Sequence, residues 1–310
     1  MAEVIENGIL IRDVETKNIM TKSSLPVGGY SINPYVGCTH GCRYCYASFM
    51  KRFTGHTEPW GTFLDVKHWP EIRNPRKYEG QRLVIGSVTD GYLPQEEQFQ
   101  NTRKLLKQLK GSGAEILICT KSDLVVRDID LLKEMGKVTV SWSINTLDEE
   151  FRTDMDNAVS IERRLSAMKQ VYDAGIRTVC FIAPVFPGIT DCEAIFQRVK
   201  NQCDLVWLEN LNLRGGFKQE ILDYIDQKYP HLIPLYDAIY HKGDRSYFHS
   251  LEDRAEQLVQ ENGCPFVDNE LPYGRAQPGH PVVVDYFYHE EVRGSENTGN
   301  RKKSCCETSL

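Results

Sequence analysis

The 310-residue sequence predicts an α/β protein, a partial (β/α)6 TIM-like barrel with a mainly helical carboxy-terminal extension. Three observations predict it. Between residues 80 and 213, short β-branched runs alternate with longer amphipathic segments, the rhythm of a parallel sheet with crossover helices. The predicted strands end in polar or glycine-bearing stretches, as expected where one site collects at the carboxyl edge of such a sheet. Beyond residue 214 the alternation stops and helical patterns take over.

Taken in order, the strands are SINPYV (31–36), RLVIGSV (82–88), EILICT (115–120), VTVSWSI (138–144), RTVCFIAPV (177–185) and LVWLENL (205–211). The intervening helical segments are EEQFQNTRKLLKQLKGSG (96–113), DLVVRDIDLLKEMG, SIERRLSAMKQVYDAG and TDCEAIFQRVKNQC. Gly113 and Gly175 stand where a helix must stop before a strand, since glycine adopts the left-handed conformation that ends helices. Six βα units fall short of the eight that close a barrel, so an open, partial barrel is expected. Helices are predicted at 217–229, 234–242 and 247–263, and a late strand at PVVVDYFYH (281–289). The predicted organisation is an amino-terminal segment (1–29), the barrel core (30–213), the extension covering the barrel (214–292) and a disordered tail (293–310).

A hydrophobic content of 41% supports a large core, and a net charge of −6 gives no global attraction to nucleic acid or anionic lipid. The amino terminus is acidic from Glu3 and has no long apolar run, so neither a signal peptide nor a membrane span is expected and the predicted location is the cytoplasm. That compartment keeps thiols reduced, so the ten cysteines predict no disulfide framework. Cys119, Cys180, Cys192, Cys203 and Cys264 are dispersed and read as small core residues, while Cys305 and Cys306 lie in the tail.

Cys38, Cys42 and Cys45 are different, because three thiols in the Cys-x3-Cys-x2-Cys stretch directly follow the first predicted strand. No second Cys-x2-Cys pair completes a four-cysteine zinc site, although His40, His56 or His68 leaves a Cys3His zinc module open. Iron-sulfur cubanes normally take four cysteines, so a three-cysteine set leaves one iron with an open position, which suits a catalytic centre.

This motif, with Tyr44 just before the last cysteine, resembles the radical S-adenosylmethionine superfamily. SVTDGY, ICTKSD, SWSIN, ERRL and DAGIRTVCFIAPVFPG are similar to the branch containing spore photoproduct lyase. VGGYSINPYVGCTHGCRYCYASFMKRFTGHTEPWGTFLDVK and GRAQPGHPVVVDYFYHEE are similar to a group called radical SAM mobile pair protein B. The resemblance implies a 4Fe-4S cluster on Cys38, Cys42 and Cys45, with S-adenosylmethionine on the open iron. It further implies that Tyr44, Thr89, Asp90, Lys121, Ser143, Asn145, Arg164 and Ala183 surround the cofactor, with Thr89 and Asp90 near its amino group and Arg164 on its carboxylate. The implied activity is reductive cleavage of S-adenosylmethionine and hydrogen abstraction, from DNA, a peptide or a partner protein. The implied partners are a flavodoxin- or ferredoxin-type electron donor and a second radical SAM protein encoded nearby. Ser87 stands where the lyase has its hydrogen-donating cysteine. Tyr92, Tyr273, Tyr286 and Tyr288 are then the alternatives for returning a hydrogen atom.

Residues 50–80 form a connection longer than an ordinary βα loop, with six cations against four carboxylates and Phe53, Trp60, Phe63, Trp69 and Tyr78 interleaved. Aromatic stacking plus cations is one way to hold nucleic acid, whereas packing of those rings against the barrel is the plainer expectation.

Overall fold

The computed structural model describes residues 3–23, 29–213, 215–267 and 275–285. Strands in order are β1 (Glu3–Glu6), β2 (Ile9–Glu15), β3 (Met20–Lys22), β4 (Tyr30–Ile32), β5 (Tyr35–Val36), β6 (Phe63–His68), β7 (Arg82–Ile85), β8 (Glu115–Thr120), β9 (Val138–Ser143), β10 (Arg177–Val185), β11 (Leu205–Asn210), β12 (Phe266–Val267) and β13 (Val282–Asp285). Helices in order are α1 (Lys51–Thr54), α2 (Glu96–Phe99), α3 (Asn101–Leu109), α4 (Ile129–Glu134), α5 (Glu149–Met155), α6 (Ile161–Asp173), α7 (Cys192–Val199), α8 (Lys218–Lys228), α9 (Ile233–Tyr240) and α10 (Ser246–Glu261).

The chain divides into two compact units, the first made of Met1–Trp142, Asp148–Thr178 and Arg214–Lys218, the second of the remainder. In the first unit β4, β7, β8 and β9 pair in parallel, with β3 antiparallel on the outer edge of β4. Leu83, Val84, Ile85, Ile116, Ile118, Val140 and Trp142 are all buried, as strands covered on both faces require. Leu105, Leu106 and Leu109 of α3 and Leu165, Met168 and Val171 of α6 are buried at the spacing of one helix face.

The single first strand predicted over 31–36 is two strands in different sheets. Pro34 supplies no backbone donor, so the ladder of β4 ends before it, and β5 resumes antiparallel to β6. The amino-terminal segment is also more structured than expected: β1 and β2 form a hairpin, and β2 runs parallel to β6 from the 50–80 connection. The helix predicted over 96–113 breaks at Gln100, which takes φ 51°. The carboxylate of Glu96 accepts the backbone N–H groups of Thr102 and Arg103 and so caps the second helix, which favours the break over continuity. Gly175 follows α6 in the left-handed conformation, as predicted.

In the second unit β10, β11, β13 and β12 pair in parallel in that order. The late strand therefore extends a parallel sheet, and the three expected helices of the extension are α8, α9 and α10. The tail from 293, Cys305, Cys306, Tyr273, Tyr286 and Tyr288 lie outside the described residues. Among the described residues no helix is long and apolar enough to cross a membrane.

Candidate cluster and cofactor site

Cys38, Cys42 and Cys45 follow β5 in the first unit, on a loop turned by two short hydrogen bonds, Gly41 N–H to the Cys38 carbonyl (3.1 Å) and Cys45 N–H to the Cys42 carbonyl (3.1 Å). Cys38 packs with Ile11, Tyr35, Leu64, Val66 and Leu93, an apolar floor that also touches Trp60. Gly41 adopts φ 54° and lies against Gly61, φ 98°; a Cβ added at Gly61 would stand 2.9 Å from the Gly41 Cα. This close backbone approach excludes any side chain at position 61.

Two polar anchors hold the loop. Asp90, buried after β7, accepts from Tyr92 N–H (2.8 Å), Lys121 N–H (2.7 Å) and the Thr120 hydroxyl (2.9 Å), and bonds His40 Nε2 (3.0 Å). One carboxylate thus ties the cysteine loop to the ends of β7 and β8. Burial opposes its charge, but the His40 bond and the two backbone donors prevail and hold it below the usual aspartate range. The second anchor is the end of α5: Arg43 N–H donates to the Met155 carbonyl (2.9 Å) and Asn157 N–H to the His40 carbonyl (2.8 Å). Between them Asp156 pairs with Arg164 at 2.7 Å, both side chains 1% exposed, and accepts the Tyr44 hydroxyl at 3.4 Å.

The electrostatics suit a cationic cofactor core. Burial raises the pKa of all three thiols, that of Cys42 to about 12, and neighbouring cysteines add to the effect at Cys38. Opposing it are Lys121 near Cys42 and Cys45, Arg164 near Cys42, and backbone donors from His40 to Cys38 and from Ala47 and Ser48 to Cys45. The Trp60 indole N–H stands near enough to Cys45 to favour its thiolate, yet closes no hydrogen bond of its own. His40 Nδ1, in the middle of the loop, is likewise buried without a partner. The open indole N–H of Trp60 beside the thiols is a donor that a group bearing acceptor sulfides would satisfy, so the residues fit an iron-sulfur cluster.

A single zinc ion would need a fourth ligand besides the three thiols, and two of the three histidines offered by the sequence are engaged elsewhere. His56 is held between Glu58 (2.9 Å) and Asp65 (3.0 Å), and His68 bonds Asp13 (2.6 Å), so neither is a fourth ligand for the cysteines.

The expected site residues divide. Tyr44, Asp90, Lys121 and Arg164 do gather on the cysteine loop, with Lys121 Nζ 5.5 Å from the Tyr44 ring centroid. Thr89 donates its hydroxyl to the Gly37 carbonyl at the base of the loop. The oxygens of Asp90 accept from protein donors, and the buried guanidinium of Arg164 donates to Asp156 and the Val159 carbonyl. Both residues position the loop. Tyr92 is fully buried with its hydroxyl on Asp128 (3.1 Å), and burial raises its pKa. Ser143, Asn145 and Ala183 belong to the second unit. There Asn145 is buried with its amide nitrogen open, and Ala183 lies in an irregularity of β10 pairing between Ile182 and Val185.

Of the aromatics in the 50–80 connection, Phe63, Trp69 and Tyr78 are buried and Trp60 is partly so, which matches the plainer expectation. Phe53 is the exception, at 74% exposed. Asp156, Trp60 and Tyr46 are site neighbours that the sequence reading did not single out as such. The Tyr46 hydroxyl donates to the Ser87 carbonyl, and Asn33 donates to the Ser87 hydroxyl (3.1 Å). Only Tyr46 carried a local signal, its adjacency to Cys45.

The chain is similar to several known proteins. An uncharacterized protein of Methanocaldococcus jannaschii is 34% identical over 72% of this chain and 85% of its own length. One from Mycobacterium tuberculosis is 26% identical over 82% of this chain and 81% of its own. A Pseudomonas phage M6 protein named Radical SAM Nalpha-GlyT isomerase is 26% identical over 56% of this chain and 36% of its own. Spore photoproduct lyase, solved with bound AdoMet and dinucleoside spore photoproduct, superposes with a TM-score of 0.51 at 18% identity, covering 71% of this chain. The match spans 66% of the lyase chain, and at that identity it establishes the fold. Residues 32–198 match the Radical SAM superfamily, whose members use a 4Fe-4S cluster and S-adenosylmethionine, and the chain belongs to that superfamily.

Proposed function

We propose that this protein holds a 4Fe-4S cluster on Cys38, Cys42 and Cys45, binds S-adenosylmethionine at the open iron, and takes a hydrogen atom from a nucleic-acid substrate. The observation that carries this reading is the three-thiol loop, with Cys38 buried and Cys42 and Cys45 partly so, and the open Trp60 indole N–H beside it. When bound, the cluster and S-adenosylmethionine together supply a 5′-deoxyadenosyl radical and methionine through one-electron reduction.

The protein's own residues bind and orient. Asp90 and Asp156 fix the loop, and Lys121 offsets negative charge beside Cys42 and Cys45. A flavodoxin- or ferredoxin-type donor supplies the electron. Nucleic acid is the substrate class suggested by the lyase solved with a dinucleoside spore photoproduct. Ser87 is a poor hydrogen-atom donor compared with a thiol, so photoproduct repair by the lyase's own route does not carry over.

The test is anaerobic reconstitution, reduction and addition of S-adenosylmethionine, with 5′-deoxyadenosine measured by chromatography. Wild type should form it and the Cys42→Ala variant should not. Intact iron-sulfur absorbance without 5′-deoxyadenosine in wild type would defeat the proposal, and one zinc without labile sulfide would point to a binding module.

A further inference from the structure

The third cluster cysteine leads directly into a continuous helical turn, a 3₁₀ segment over Tyr46–Met50 followed by α1. Tyr46, Phe49 and Phe53 are spaced three and four residues apart, so their side chains share one helix face. They are 56%, 40% and 74% exposed. Adjacent ring centroids lie 6.5 Å and 6.3 Å apart, Tyr46 and Phe49 tilted by 31° and Phe53 edge-on to Phe49 at 87°, so the rings form a contiguous ladder whose planes differ. Seven large apolar side chains are exposed among the described residues, and these three are all of the aromatic ones. Scattered exposed apolar residues need no explanation, but three aligned rings beside a cofactor site do.

The charge around the ladder identifies the occupant. From Cys38 to Thr57 the sequence carries Arg43, Lys51 and Arg52 and no carboxylate, within a chain of net charge −6. Arg52 is exposed on the same short helix as Phe53. A protein partner would gain from the rings but would not call for an acid-free cationic stretch. An unpaired polynucleotide uses both, stacking bases on rings and placing phosphates near cations. The ladder's inner end is fixed, because the Tyr46 hydroxyl is bonded to the Ser87 carbonyl after β7.

We infer that the Tyr46–Phe49–Phe53 ladder is a stacking platform that takes single-stranded nucleic acid, with Arg52 and Lys51 contacting phosphate, and leads the strand toward the cluster. This deepens the substrate class of the proposed function and rests on that reading for its catalytic meaning. Binding by the ladder is measurable separately.

The experiment is fluorescence anisotropy of the reconstituted holoenzyme with a labelled mixed-sequence 12-mer, as single-stranded DNA, single-stranded RNA and blunt duplex DNA, without S-adenosylmethionine or reductant. Both single strands should bind more tightly than the duplex, and the DNA and RNA arms show which sugar is preferred. Phe53→Ala should weaken binding roughly 5- to 100-fold, the loss of one base stack, while Phe53→Trp should restore it. Arg52→Ala should lower the slope of log affinity against log salt by about one. An unchanged melting temperature for Phe53→Ala confirms that the fold is intact, as its exposure leads one to expect. Absence of wild-type binding at low salt, equal binding by wild type and Phe53→Ala, or a wild-type dimer dispersed by Phe53→Ala would each overturn the inference. A wild type that binds oligonucleotide but yields no 5′-deoxyadenosine would instead overturn the radical chemistry and leave the platform standing.

Discussion

Replacing Asp156 by alanine tests whether the Asp156–Arg164 pair is what holds the cysteine loop. The two side chains meet at 2.7 Å and are each 1% exposed, so surface screening does not apply. With charge centres about 4 Å apart and an effective dielectric near 20, their attraction is about 4 kcal/mol. Removing one partner strands a buried charge, which typically costs about 3–5 kcal/mol, in agreement with that figure. The Val159 carbonyl remains as an acceptor for Arg164, so the lower half of the range is expected. Loss of Asp156 also removes the Tyr44 acceptor and the cap on Ala158 N–H (3.0 Å), loosening the α5 end that receives Arg43 N–H. Urea unfolding of the apoprotein should therefore show about 3 kcal/mol lost, and reconstitution should give less iron per chain. The double variant Asp156→Ala with Arg164→Met should recover most of the stability, because no unpaired charge stays inside. An Asp156→Ala midpoint equal to that of wild type, or a double variant no better than the single, would refute the reasoning.

Further outcomes are expected at neighbouring positions. Asp90→Asn should cost about 2–4 kcal/mol, because a neutral amide replaces a carboxylate that serves four donors. Since the folded pKa of Asp90 is depressed, its contribution is fully present above the unfolded aspartate value near 4 and fades only as pH falls through the folded one. The Asp90→Asn loss should thus be present at about pH 6 and smaller at about pH 3 by urea unfolding, and a loss that grows as pH falls between them would count against this account. Gly61→Ala forces a side chain against the Gly41 backbone at positive φ; it should lower iron incorporation at least about twofold, read by colorimetric iron assay. Tyr92→Phe removes one buried hydrogen bond to Asp128 and should cost about 1 kcal/mol in unfolding while leaving 5′-deoxyadenosine formation within about twofold of wild type. A much larger loss of 5′-deoxyadenosine would give Tyr92 a catalytic role.

The parallel strands were legible because strands buried on both faces must be continuous apolar runs, and RLVI, EILICT and VTVSWS are such runs. The superfamily was legible because the spacing of the three cysteines is local and their chemistry is specific. Burial of individual aromatics was not, since Trp69 and Phe53 occupy similar sequence surroundings. Trp69 is buried and donates its indole N–H to Gln108 (2.9 Å), whereas Phe53 meets only the neighbouring ring and solvent. The fate of Arg164 was also hidden. A buried arginine pairs with whichever carboxylate the fold brings to it, and Asp156 comes from the end of the preceding helix.

By itself the sequence determined the repeating strand and helix pattern and the three thiols that define the chemistry, because both depend on residues close together in the chain. Tertiary structure alone decided that Asp90, Asp156 and Arg164 serve as anchors and that three rings beside Cys45 stay in water. The reason is physical: a charge or a ring takes its role from what surrounds it, and the fold brings Asp90 to His40 across 50 residues and Asp156 to Tyr44 across 112.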